Sequence, residues 1–268
     1  MFGKRLVSGI ILVILAAIIL IQGGPILFFI SLGLSMIGVF ELYRVLKIEK
    51  EIPGVIGYLA VLGYYLILWT GCSGYVTFLA VALVLSLMTV YVFTFPKYQT
   101  EHIMSALFGV FYVGVLLSFV YQVRSLPDGK FLVWLILFGS WGCDTCAYCF
   151  GMLFGKHKLA PKLSPKKSIE GAVGGVVGAA ALGLIYGMIF EGHMSEVIQP
   201  GFTSACACAV GAVISQIGDL AASAIKRNHD IKDYGHLIPG HGGILDRFDS
   251  MIFTAPAVYF AIVFVGMM

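Results

Sequence analysis

Residues 74–95 read GYVTFLAVALVLSLMTVYVFTF, 22 positions without a charge. A bilayer's hydrocarbon core is about 30 Å thick, and a helix rising about 1.5 Å per residue needs about 20 apolar residues to cross it. This run has that length and no polar face, so it reads as a spanning helix. Working outward, similar runs recur at 6–22, 25–43, 54–71, 103–123, 131–153, 169–190, 201–223 and 251–268. The expectation is therefore an all-α, polytopic integral membrane protein with nine transmembrane helices. Barrel strands would alternate apolar and polar residues over about 10 positions, and these continuous runs do not. The first run follows Lys4 and Arg5, as a signal peptide would. It lacks an A-x-A cleavage pattern and leads almost directly into the second run, so it is read as a retained span.

Composition agrees. Of the 268 residues 59% are hydrophobic and only 12% charged, with a mean hydropathy of +0.96. Soluble domains carry about 25% charge. The deficit excludes a disordered segment, a nucleic-acid-binding module and an ordinary cytosolic enzyme, and it makes membrane lipid the surrounding partner. The 33 glycines fit, because glycine is more frequent in spanning helices than in soluble ones.

With nine spans, the 17 Lys and Arg residues sort unevenly. Only Arg124 and Lys130 fall on one side, and all the others fall on the opposite side. By the positive-inside rule the N-terminus is cytoplasmic and the C-terminus is not. Two long cytoplasmic connections, 154–168 and 224–250, would then hold nine basic residues between them, suited to anionic headgroups or a polyphosphate. Composition also divides the chain. Residues 1–103 read as a scaffold of apolar helices, and 104–268 as the region that carries the chemistry.

Intramembrane charge is expensive, at least about 2.5–3.5 kcal/mol per residue on insertion scales, so each case is a functional candidate. Asp144 lies in the sixth span and Asp219 near the cytoplasmic end of the eighth. Ser215, Asp219, Ser223 and Lys226 share one helical face, and Ser140, Asp144 and Tyr148 make a similar stripe. Glu41 is read as an interfacial residue paired locally with Arg44. Asp246 and Asp249, three apart, occupy the first turn of the ninth helix, where the macrodipole also favours carboxylates. Pro239-Gly240-His241-Gly242-Gly243 can turn tightly and offer N–H groups to an anion, supplemented by the donors of a helix beginning near Leu245. Carboxylates, a glycine turn and nearby Lys and Arg together point to metal-assisted phosphoryl or nucleotidyl transfer. A transporter using Asp144 and Asp219 as cation or proton sites is the other reading of the same buried charges. No P-loop or dinucleotide-binding glycine motif is present.

The 27 residues Ser223–Asp249, SAIKRNHDIKDYGHLIPGHGGILDRFD, resemble the signature of the phosphatidate cytidylyltransferases, or CDP-diacylglycerol synthases. The S-x-x-K-R, K-D, P-G-H-G-G and D-R-x-D elements all fall in register. Lys162–Gly171 and the set Trp141, Asp144, Ala147, Tyr148, Gly151, Gly155 and Lys156 resemble two further family elements. The resemblance implies conversion of CTP and phosphatidate to CDP-diacylglycerol and pyrophosphate, at a cytoplasm-facing site in the inner (plasma) membrane. It implies Mg²⁺ as cofactor with room for a second cation, and a homodimer; no nucleic acid is a partner. Carried over by position, it makes Asp219, Asp246 and Asp249 metal ligands, with Asp144 a further one. Asp219, Asp246, Lys226 and Arg247 would be catalytic. Ser223, Arg227, Lys232, His241, Gly242 and Gly243 would bind substrate, and Ser164, Lys166 and Lys167 would close over the nucleotide. A polyprenol kinase using CTP is the rival within enzymes. The sequence departs from the family pattern at Cys143, Cys146 and Cys149, read as small buried thiols rather than iron–sulfur ligands.

Overall fold

The computed structural model describes residues 2–237 and 242–267. Pro239, Gly240 and His241 of the expected turn lie outside the described residues. The chain is helical almost throughout: α1 Phe2–Gln22, α2 Gly24–Val45, α3 Ile52–Thr70, α4 Val76–Phe93, α5 Thr100–Arg124, α6 Gly129–Phe154, α7 Ile169–Ile189, α8 Pro200–Asn228 and α9 Leu245–Gly266. Among the described residues eight helices, α2 to α9, are long and apolar enough to cross a bilayer. The remaining expected run corresponds to α1, whose apolar stretch is Val13–Gln22.

Local chemistry accounts for many helix ends. Pro53 and Pro200 sit in the first turns of α3 and α8, where a missing N–H breaks no helical bond. Gly71 closes α3 with φ +69°, a left-handed conformation that glycine adopts without strain. The Ser168 side chain accepts from Gly171 N at 3.1 Å and caps α7.

The structure corrects the expected connections. α8 continues past 223 to Asn228, so Lys226 and Arg227 are helical rather than in a loop. The 154–168 connection is not irregular, because it folds into an antiparallel ribbon, β1 Lys158–Ala160 and β2 Ser164–Ser168. Pro161 turns the chain between the two strands. α6 begins as two short turns and passes through a π turn over Phe138–Gly142 before becoming regular at Cys143.

Contacts divide the chain into two compact units. One consists chiefly of Pro25–Ser118 and Asp233–Arg247. Its core surrounds Tyr43, whose hydroxyl donates to Ala106 O at 2.6 Å. Gly57 and Gly109 admit the side chain, since a Cβ would come within 2.1 Å of its hydroxyl at the first and 2.2 Å of its ring at the second. Near the start of α3, Tyr98 donates to Glu51 at 2.7 Å and Lys97 pairs with the same oxygen at 3.0 Å. The tyrosine first, and then the lysine, hold the Glu51 carboxyl below the usual carboxylate range.

The second unit consists chiefly of Gly9–Gly24, Phe119–Lys232 and α9 from Phe248 onward. Here α7 packs against both α6 and α8. A Cβ on Gly174 would fall 2.3 Å from Phe150, and one on Gly178 2.6 Å from Cys146, both on α6. On Gly187 it would lie 2.4 Å from Pro200 O on α8. The small-residue steps of α7 thus serve close packing within the chain. The cysteines are free, with Cys143 buried and Cys149 exposed, so the buried-thiol reading fails for Cys149. Three-residue steps drift around a 3.6-residue helix and carry the last thiol off the packed face.

Candidate active site

Helices α6, α7 and α8 and the β1–β2 ribbon line a cavity of about 360 Å³ in the second unit. Asp144, Ala147, Tyr148, Gly151 and Met152 come from α6, and Leu159, Lys166, Lys167 and Ser168 from the ribbon. Gly171 and Ala172 of α7 and Gln216 of α8 complete it. The expected stripe of Ser140, Asp144 and Tyr148 breaks at its first member. Ser140 lies in the π turn, is fully buried and donates to Ile136 O at 2.7 Å. Asp144 and Tyr148 follow on regular helix, four residues apart, and both reach the cavity.

Beside the cavity the charges gather. Lys167, on β2, forms an ion pair with Asp219 of α8. Asp144 lies within electrostatic range of both members of this pair. Asp249, the fifth residue of α9 and so just past the first turn in which it was expected, feels Asp219, Lys226 and Asp144. Three carboxylates therefore share a partly buried region with two ammonium groups, leaving an excess of negative charge that attracts a cation. All the acidic donors are oxygen, which suits a hard divalent ion. Among the described residues no three His, Cys, Asp or Glu side chains are grouped so as to hold a metal alone. The donor set fits an ion that completes its shell with substrate phosphates and water, as Mg²⁺ commonly does.

Other expected residues flank this cluster. Ser215 is buried, while Asp219, Ser223 and Lys226 continue down α8 at intermediate burial. Arg227 and Lys232 are exposed at and beyond the end of α8. Lys166 is exposed on the ribbon, and Ser164 pairs with Ala160 at its turn. Gln216, overlooked in the sequence reading, donates through Nε2 to Ala172 O at 3.0 Å and to Cys143 Sγ at 3.5 Å. Its position one turn before Asp219 was the available signal.

The remaining signature residues belong to the first unit. Asp246 Oδ2 accepts from Tyr234 N at 2.8 Å and from Gly243 N at 2.9 Å. Gly242 is left-handed, with φ +85°, and a Cβ there would lie 2.7 Å from the same oxygen. Glu41, 3% exposed, accepts from Ile244 N at 3.1 Å and Leu245 N at 2.9 Å. Gly235 and Gly243 lie against this carboxylate, each without room for a side chain. Arg44 donates to Tyr234 O at 2.5 Å.

These bonds correct two expectations. Glu41 is a buried cap for the start of α9, and although Arg44 lies within its electrostatic range its hydrogen bonds go to distant backbone rather than to a local partner. The N–H groups at 243–245 are engaged by Asp246 and Glu41, and so are not offered to an anion in this structure. No local pattern announces the Glu41 contact, because its bonds span 203 and 204 residues of sequence. Arg247 is exposed. His241 lies outside the described residues.

The model of the cytidylyltransferase family matches residues 3–265. The chain is 30% identical to a phosphatidate cytidylyltransferase of Bacillus subtilis, over 96% of both chains. Proteins of the same description from Staphylococcus epidermidis and Staphylococcus aureus are 33% and 32% identical, over 94% of this chain and 95% of theirs.

Proposed function

We infer what this chain does from its membership: it belongs to the cytidylyltransferase family. It is a membrane nucleotidyltransferase that makes CDP-diacylglycerol from CTP and phosphatidate, for phospholipid biosynthesis. The observation that carries the mechanistic reading is the cluster of Asp144, Asp219, Asp249, Lys167 and Lys226 beside the ribbon-covered cavity.

In this reading a phosphatidate phosphate oxygen attacks the α-phosphorus of CTP in line, and pyrophosphate leaves. The nucleophile is already an anion, so no strong general base is required. Asp219, with Asp144 and Asp249 in electrostatic range, would supply carboxylate oxygens to Mg²⁺ and to a second cation, with substrate phosphates and water completing the shell. When bound, Mg²⁺ supplies Lewis-acid neutralisation of phosphoryl and pyrophosphate oxygens. Lys167 and Lys226 balance the carboxylates before substrate arrives and meet phosphate charge afterwards. Lys166, with Ser164 on the same ribbon, closes over the nucleotide. Ser223, Arg227, Lys232 and Arg247, with His241, hold phosphate groups. Gly242 and Gly243 give the signature turn its shape. Asp246 organises the backbone at 234 and 243 through its two bonds, and by the family resemblance it would also be a metal ligand.

The proposal also includes a cytoplasm-facing site in the inner (plasma) membrane, a cytoplasmic N-terminus and a homodimer. Residues 1–103 act as scaffold and 104–268 as the catalytic region. Lipid can then enter sideways with its tails in hydrocarbon while CTP arrives from water.

A detergent-solubilised assay with phosphatidate, CTP and Mg²⁺ tests the activity. Lipid product and pyrophosphate should appear together and vanish with EDTA, returning on Mg²⁺ addition. Release of CDP in place of pyrophosphate would mean γ-phosphoryl transfer and overturn the assignment.

A further inference from the structure

The Gln216 side chain is fixed in one orientation by its surroundings. Ala172 O can only accept, so the amide atom 3.0 Å from it must be the nitrogen. The second amide proton faces Cys143 Sγ at 3.5 Å, and that thiol donates onward to Ala212 O at 3.8 Å. Both protons of Gln216 are therefore engaged by the cavity wall. Its Oε1 has no hydrogen-bond partner among the described residues, although the residue lines the cavity. Gln216 is thus a cavity-lining residue whose acceptor oxygen cannot exchange places with its donor nitrogen without breaking two bonds.

The same cavity suits a flat heterocycle with a phosphate tail. Tyr148, Met152 and Leu159 supply aromatic and apolar surface, while Lys166 and Lys167 supply cations. Lys167 links this cavity to Asp219, where the phosphates are placed in the reading above.

We propose that Gln216 is a specificity-determining residue, whose Oε1 accepts a hydrogen bond from the 4-amino group of cytosine. The 4-position distinguishes the two common pyrimidines: cytosine carries an amino donor there and uracil a carbonyl acceptor. An acceptor held in place pairs with the first and repels the second. The closed network behind it prevents the amide from turning round to suit uracil. Selection of a cytidine over a uridine nucleotide would thus depend on Cys143 and Ala172 as well, through the orientation they impose. This inference rests on the cytidylyltransferase reading.

The test compares kcat/KM for CTP and UTP in purified wild-type enzyme and in Gln216→Met, which keeps side-chain length but has no acceptor oxygen. The wild-type enzyme should prefer CTP, and the preference should fall at least about tenfold in the variant, the size expected for one lost hydrogen bond facing a repulsive alternative. A variant that turns over CTP with the wild-type preference intact would overturn the proposal. Photolabelling of the wild-type enzyme with 5-azido-CTP keeps the question decidable if the variant does not fold. Label on the α6 or α8 peptides around Cys143 and Gln216 is expected, and label confined to other segments would reject the site. A wild-type enzyme that makes no CTP-dependent lipid product would instead bring down the cytidylyltransferase reading, which separates the two failures.

Discussion

Asp219 illustrates how a single carboxylate is tolerated where few charges are. An isolated ion near hydrocarbon is costly, yet Lys167 pairs with it, and Asp144 and Asp249 lie within electrostatic range. Removing it takes away the centre of the proposed ion site. Asp219→Ala should lower CTP-dependent turnover at least about 100-fold while the protein still inserts, comparable to losing a principal electrostatic element of an active site. Near-normal turnover in the purified variant would remove Asp219 from the mechanism. Glu41 has the opposite character, since it lies outside the signature and holds the signature's backbone. Glu41→Ala strands two buried N–H groups at the start of α9, a loss of about 1–3 kcal/mol for each. A lower melting temperature in detergent is expected, with Glu41→Gln intermediate because it retains one acceptor. An unchanged melting temperature in Glu41→Ala would refute the capping role. The signature residues were legible because their types and spacing repeat a family pattern. Glu41 was not, because capping at a distance of about 200 residues leaves no local trace.

At the scale of elements, the site depends on how closely α7 approaches α6. Gly175 is buried, and a Cβ there would lie 2.9 Å from Ala147 Cβ and 3.0 Å from Cys143 O. Gly175→Leu would force the helices apart, with an overpacking cost of about 1–3 kcal/mol or more. The expected result is a destabilised protein, measured by thermal melting, with activity lost in the fraction that remains folded. Retention of both would mean that the α6–α7 contact does not shape the cavity. Two irregular elements of the second unit, the π turn of α6 and the ribbon, were the hardest to anticipate. A π turn inserts one extra residue per turn and shifts every later side chain, and nothing in Phe138-Gly-Ser-Trp-Gly142 marks it by periodicity. The ribbon at 158–168 is too short and too polar for its alternation to stand out from a charged loop. The long helices were legible for the converse reason, since eighteen or more apolar residues in sequence admit few other structures.

For the whole molecule, topology follows from charge placement and can be read directly. Single cysteines introduced at Lys130 and Lys232 in a background without native cysteines should label from opposite sides of sealed, right-side-out cells. Lys130→Cys should react with an impermeant maleimide from outside, and Lys232→Cys only after permeabilisation. The reverse pattern would invert the proposed orientation. The family, the helical class and the near-complete set of spans were determined by sequence alone. Insertion into lipid is governed by additive, local transfer energies, and a phosphate-handling motif must keep particular residue types at fixed spacing. Tertiary structure decided which charges meet. It brought Lys167 from a ribbon to Asp219 of α8, placed Asp249 within range of Asp144, and gave the buried Glu41 two backbone donors of α9. It also pinned Gln216 against Ala172 and Cys143. Such pairings depend on helix phase and on approach between distant segments, and a linear pattern of residues encodes neither directly.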